Sequence, residues 1–294
     1  MSLIHILLLA VVIFWGWSFV ATKVCLNYWT PVEILGLRYL LAIPVLVAIA
    51  LYKKIKPNFS RSDWISMVAG SAILTAHFLI QINGMRFTSA TNTGWIIAFT
   101  PLTIALLSFL FLRERIGIWQ IAGIVVATSG IVLLVSDGNL GQLDWLESKG
   151  DWMILVSTGT WALYSVVTRN AGRHNHPIAV TTVLLSLTAI VVVPYMMIDS
   201  TVSKLVSAPV DGIIAMLFLG VVCLALSMWV WQEGLARLGA SKTGFFLYLE
   251  PLATVALAVP YLGEPFGPFT ALGGALVLGG VYLAEKGKES GKIA

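Results

Sequence analysis

The apolar residues of this chain are gathered into ten blocks of about 20, the length a helix needs, at 1.5 Å of rise per residue, to cross a hydrocarbon layer of roughly 30 Å. The blocks cover residues 3–22, 32–52, 64–83, 91–112, 117–136, 152–170, 178–198, 212–232, 241–261 and 267–284. Lipid offers no partner for a backbone N–H or C=O, so each block is expected to be a helix that satisfies its own hydrogen bonds. Composition agrees: 58% of the 294 residues are hydrophobic and only 11% are charged, against about 25% charged in soluble domains. That leaves too few charges to solvate a globular surface, which argues against a soluble bundle. No small-residue cleavage site follows the first block, so it reads as a retained span and not a signal peptide.

The charges sit between the blocks. Taken in chain order, 13 of the 18 Lys and Arg fall on one side of the layer and 4 on the other, with Arg38 inside the second block. Lys53, Lys54, Lys56, Arg61, Arg113, Arg115, Lys286, Lys288 and Lys292 dominate the richer side. The positive-inside rule makes that side cytoplasmic and, with an even number of spans, puts both termini there. The net charge of +4 thus reports orientation, and no nucleic-acid partner is expected. Cys25 and Cys223 form neither a disulfide framework nor a metal-ligand spacing, so no metal or cofactor is expected.

The chain also repeats itself. At an offset of 150, residues 84–133 lie over 234–283 without a gap, and thirteen of the fifty pairs are identical, among them Gly94 with Gly244, Pro101 with Pro251, Glu114 with Glu264, Gly123 with Gly273 and Gly130 with Gly280. At an offset of 146, Trp15 matches Trp161, Thr22 matches Thr168 and Pro31 matches Pro177. The sequence therefore predicts an all-α integral membrane protein with two five-helix units, residues 1–137 and 148–287, and a cytoplasmic tail over 288–294. Because five is odd, the second unit must run through the membrane inverted relative to the first, a common transporter plan.

Several stretches resemble the EamA branch of the drug/metabolite transporter superfamily. They are Ala90 to Gly94 with Thr100, Pro101 and Leu102, the segment Phe111 to Ile116, Ala240 to Gly244 with Leu249, Glu250, Pro251 and Leu252, and Tyr261 to Pro265. Pro31 followed by Leu37, Arg38 and Tyr39 is similar to that family's second helix. The resemblance implies ten helices and export or exchange of amino acids, related metabolites or drugs across an inner (plasma) membrane. Gly263 and Pro265 replace the arginines found at 113 and 115, which thins the charge of a loop expected to face outward.

Glu250 lies about midway along the ninth block, where an ionised carboxylate needs a partner or water, so it is a candidate for substrate binding and for carrying a proton. Pro101 and Pro251 have no N–H to give to Ile97 and Leu247, which marks both as hinges. A plain kink, with Glu250 bonded to a neighbouring helix, is the competing reading. Arg38 either snorkels outward or pairs with an acid on another helix or with a substrate carboxylate. Glu33, about 140° around the helix, is poorly placed for it. His77 and Gln81 share one helix face, as a site or as interhelical glue. Trp15, Trp95, Trp161, Tyr164 and Tyr248 lie deep enough to wall a cavity or simply to pack. Trp29, Trp64, Trp119, Trp145 and Trp152 fit an interfacial belt. The glycines at 123, 130, 273 and 280 form a close-packing seam that could join the two halves or two protomers of a homodimer. Glu114 and Glu264 read as helix caps, and His174 and His176 as solvated.

A membrane-embedded enzyme or a sensor is the alternative to a transporter. The chain has no GxSxG, HExxH or paired carboxylates at helical spacing, and no long loop that would make a sensor domain.

Overall fold

The computed structural model describes residues 2–113, 117–136, 148–197, 204, 207–263 and 267–290, and every element among them is helical. Helix α1 (Leu3–Leu26), α2 (Pro31–Tyr52) and α3 (Arg61–Gly84) are continuous. The next apolar block is split into α4 (Ala90–Ile97) and α5 (Thr100–Leu112), and is followed by α6 (Ile118–Val135). Then come α7 (Lys149–His174) and α8 (Pro177–Met196). The eighth block is α9 (Val210–Leu217), a π-helical stretch (Phe218–Leu226) and α10 (Ser227–Leu238). The ninth is α11 (Ala240–Gly244), a 3-10 turn (Phe245–Leu249) and α12 (Glu250–Leu262), and α13 (Pro268–Ser290) closes the chain. The last helix thus continues to Ser290, into the residues expected to form the tail.

Among the described residues seven segments are long and apolar enough to cross a membrane, and Ile121–Gly130 and Ala271–Gly280 are shorter apolar helices. Helix α7 has 26 residues but is less apolar, with Lys149, Asp151, Arg169 and Arg173 near its ends. Large apolar side chains such as Leu51, Phe109 and Ile190 are exposed, as a lipid-facing surface requires.

Helix starts are capped in the expected chemistry. Thr30 with Glu33, Ser60 with Asp63, and Ser148 with Asp151 each form a reciprocal capping box that satisfies orphan N–H groups. At the start of α1, Ser2 Oγ lies 2.5 Å from His5 Nδ1. His176 caps α8, its Nδ1 accepting the Ile178 N–H at 3.3 Å. Glu114, Glu264 and Trp145 fall outside the described residues. Trp64, Trp119 and Trp152 are exposed on the rim, but Trp29 is buried beneath the turn before α2 and so leaves the expected belt.

Helix α6 packs along α13, α3 along α7, α2 along α8 and the π stretch, and α1 against both the eighth block and α12. The glycine seam lies between α6 and α13, within one chain. A Cβ on Gly130 would stand 2.6 Å from the Gly273 carbonyl oxygen, and one on Gly280 would stand 2.6 Å from that of Gly123. A second close approach has the same form: Gly94 faces the Thr254 side chain and Gly244 faces that of Ile104.

Substituting Gly280→Leu should therefore force the seam apart, an overpacking cost of about 1–3 kcal/mol. It should appear as a drop of several degrees in the detergent-solubilised melting temperature. Gly279→Ala, whose Cβ meets nothing within 4 Å, should leave the melting temperature unchanged.

Candidate functional site

A cavity of about 50 Å³ occupies the middle of the bundle. Its walls come from α1 (Trp15, Ser18, Phe19, Thr22), α2 (Arg38), α3 (His77, Phe78, Gln81) and α7 (Ser157, Thr158, Trp161). The two broken spans complete it with Ile97 and Thr100, and with Leu247 and Glu250. These positions lie in the C-terminal parts of α1 and α3 and the N-terminal parts of α2 and α7. The cavity thus runs from the bundle centre toward the end that carries the 27–30 and 85–89 turns.

Local chemistry explains how each group is held. Pro101 and Pro251 are in the first turn of α5 and α12, so each break falls where a proline withholds its N–H. Glu250 consequently opens α12 and is placed at the cavity, where a helix N-terminus favours an acid. Helix α1 reaches α12 at this level through Gly16, because a Cβ there would stand 2.6 Å from the Glu250 carbonyl oxygen. Thr254 Oγ1 donates to the Gly16 carbonyl at 3.2 Å across the same contact.

His77 is fixed by its Nδ1, 3.0 Å from the Ser157 carbonyl oxygen, a separation at which Nδ1 carries the proton and donates. Its Nε2 is then the ring nitrogen left to act as acceptor. The Trp15 indole donates to the Cys223 carbonyl at 3.0 Å, within the π-helical stretch, and stands edge-on to Trp161 with centroids 5.1 Å apart. Trp231 completes a three-indole cluster beneath the cavity.

Arg38 is buried, 5% exposed, with its guanidinium carbon 4.7 Å from the Phe78 ring centre. Its Nε has no hydrogen-bond partner, and no ion pair holds it among the described residues. Glu33 is taken elsewhere: its carboxylate accepts the Thr30 N–H at 2.7 Å and pairs with Lys204 at 2.8 Å. Outside the spans, Tyr28 donates to Asp211 at 3.0 Å, and that hydrogen bond raises the phenol above its ordinary pKa.

Of the residues singled out from sequence, Trp15, Arg38, His77, Gln81, Trp161 and Glu250 line this cavity together. Trp95, Tyr164 and Tyr248 do not. Trp95 packs with Ala98, Ala105, Ala127 and Val277, and Tyr248 belongs to that same cluster with its hydroxyl 3.4 Å from Thr128 Oγ1. Tyr164 lies in the opposite half of the bundle, where Gln232 Nε2 donates to its hydroxyl at 2.6 Å and to Thr168 Oγ1 at 3.1 Å. Gln232 and the π-helical stretch were not read from sequence. A fully buried amide in an apolar block was the available signal for Gln232, whereas nothing in the residues of Phe218–Leu226 marks a π-helix. Thr100 was legible in principle, as the repeat-mate of Glu250 at the offset of 150.

Stacked apolar helices around a buried polar cavity define a multi-pass membrane protein. The chain belongs to the EamA-like transporter family, which matches it twice, over residues 2–136 and 148–285. It is 28% identical over 282 residues to an uncharacterized transporter of Archaeoglobus fulgidus, covering 95% of this chain and 96% of that one. It is 25% identical over 287 residues to a "probable amino-acid metabolite efflux pump" of Salmonella typhimurium, covering 94% and 93%. A protein of the same name from Escherichia coli is also 25% identical, over 288 residues. A solved crystal structure shares the fold with a TM-score of 0.74 at 19% identity, covering 97% of this chain and 98% of that one. The protein is therefore a multi-pass membrane transporter.

Filling the cavity from the half-buried Ser18 should block it without touching a charge. Ser18→Phe is expected to reduce solute flux in reconstituted vesicles to below about a tenth of the unmodified level, as loss of a preformed site implies. Its thermal stability in detergent should remain close to that of the parent.

Proposed function

We propose that this protein is a secondary transporter that exports or exchanges amino acids or related small metabolites across the inner membrane by alternating access around the central cavity. In this reading the chain has ten transmembrane helices in two inverted five-helix repeats, with both termini cytoplasmic. The seven apolar spans, the pair α6 and α13, and the long α7 make up the ten.

The observation that carries the reading is that the close contacts are reciprocal under exchange of the halves. Gly130 meets Gly273 as Gly280 meets Gly123, and Gly94 meets Thr254 as Gly244 meets Ile104. At the offset of 150 each such contact is the image of the other, the mark of a twofold relation in which i touches j and j touches i. The α6–α13 contact also requires those two helices to run antiparallel. The cavity follows the same rule, with Trp15 facing its repeat-mate Trp161 and Thr100 opposite Glu250 in the pairing. The Ser2–His5 contact stands where Ser148 and Asp151 stand in the second repeat.

With the positive-inside orientation, the cavity opens toward the outer face, and Gln232 bonded to Tyr164 and Thr168 closes the cytoplasmic side. Exchanging the conformations of the two halves would open the other side. Pro101 and Pro251 serve as the hinges of that exchange, and Glu250 is the group that couples it to a proton. The efflux pumps among its relatives favour amino acids or their metabolites as cargo.

A flux screen of amino acids and related metabolites in reconstituted vesicles, with and without a pH gradient, tests this. Glu250→Gln should abolish gradient-driven accumulation, since an amide keeps the shape of the carboxyl but cannot carry a proton. Gradient-driven flux that survives the substitution would refute the coupling role, and no flux of any solute would refute transport.

A further inference from the structure

Two oppositely charged side chains face the cavity, and neither is paired among the described residues. Arg38 comes from α2 and Glu250 from the start of α12; they are 5% and 4% exposed. Among the described residues no hydrogen bond or ion pair ties the guanidinium of Arg38 or the carboxyl of Glu250 to protein. A buried charge left without compensation is costly, so groups of this kind persist inside a membrane where a ligand or a water-filled path completes them. The acid closest to Arg38 in sequence is unavailable, because Glu33 is held by the Thr30 N–H and Lys204.

The shape of the site narrows the ligand. The guanidinium carbon of Arg38 lies over the Phe78 ring, and its planar fork of N–H donors matches a carboxylate. A carboxylate on another wall matches an ammonium. A dicarboxylic solute would set a second negative charge against Glu250, and a diamine would set a second positive charge against Arg38, so both are rejected by repulsion. The remaining walls mix the apolar Trp15, Phe19, Trp161 and Leu247 with hydroxyl, imidazole and amide groups from residues such as Ser18, Thr100, His77 and Gln81.

We propose that Arg38 and Glu250 form a bipolar site that takes a zwitterionic amino acid, the carboxylate at Arg38 and the ammonium at Glu250, with the side chain among the rings and polar groups of the remaining walls. The proposal rests on the transport reading and names its cargo. Arg38 is the residue that separates amino acids from amines of the same size.

Counterflow of labelled L-leucine and L-phenylalanine into vesicles holding the reconstituted protein provides the test. The unlabelled competitors are each parent amino acid, its carboxamide, the corresponding amine (3-methylbutylamine or 2-phenylethylamine) and the corresponding deaminated acid (4-methylpentanoate or 3-phenylpropanoate). Each one-ended analogue should need at least about 30-fold more than its parent for half-inhibition, the size expected when a buried charge loses its partner. A carboxamide that competes within about threefold of the parent would overturn the role of Arg38, and a deaminated acid that does so would overturn that of Glu250.

Arg38→Gln should bring the carboxamide and its parent to similar potency, with Arg38→Lys restoring part of the preference. A purely structural arginine would lower flux of all solutes and leave that ratio unchanged. Should the glutamine variant fail to fold, the competition pattern on the unmodified protein decides alone. If neither labelled amino acid moves, this inference falls, while transport itself is judged by the broader metabolite screen.

Discussion

Hydrocarbon supplies no hydrogen bonds, and the placement of nearly every polar group in this bundle follows from that fact. Serines and threonines within the spans turn back onto their own helix, as Ser165 does to Trp161 and Thr168 to Tyr164. His77 is matched to a carbonyl of α7, and the indole of Trp15 to a carbonyl of the π-helical stretch. Glu33 is completely buried yet bound by a capped backbone and a lysine. Among the described residues some buried groups are left without a partner, including the Trp161 and Trp231 indoles, but Arg38 and Glu250 stand out as two side chains of opposite charge that line one cavity.

The same bundle is tight in some places and interrupted in others. Glycine at 16, 130 and 280 lets backbones approach to distances that a Cβ would obstruct, and Gly94 and Gly244 seat the Thr254 and Ile104 side chains, giving firm contacts between the halves. The interruptions fall at the two prolines and the π-helical stretch, where the backbone is least regular, and all three border the cavity or its aromatic floor. In the proposed cycle, firm contacts would move as bodies and the interruptions would absorb the change in angle. A proton and a substrate ammonium would then compete for the one carboxyl of Glu250, which is the simplest way to link their opposite movements.

Much of the helical architecture was legible because membrane insertion writes itself into block length. The apolar blocks located the helical segments, although the helices ending at Leu238 and Ser290 run six residues past their blocks, and the proline breaks at 101 and 251 followed from the missing N–H groups. Six of the nine residues proposed to line a site do line one cavity. Trp95, Tyr164 and Tyr248 lie away from it, because depth in the membrane can be read from a sequence, whereas the direction a side chain faces depends on packing. Long-range pairings such as Lys204 with Glu33 and Gln232 with Tyr164 were out of reach for the same reason. The glycine seam could be read as internal or intermolecular from spacing alone, and only the packing of α6 on α13 places it within the chain.

The central claim is that the two halves are inverted copies that open one cavity to opposite faces. Single cysteines at repeat-mates, Thr22→Cys and Thr168→Cys, in a background with Cys25→Ala and Cys223→Ala, probe it directly with a membrane-impermeant maleimide applied to vesicles of known orientation. The account predicts that position 22 reacts only from the outer face and position 168 only from the cytoplasmic face, and that saturating substrate slows both reactions. Labelling of both positions from the same face would contradict it.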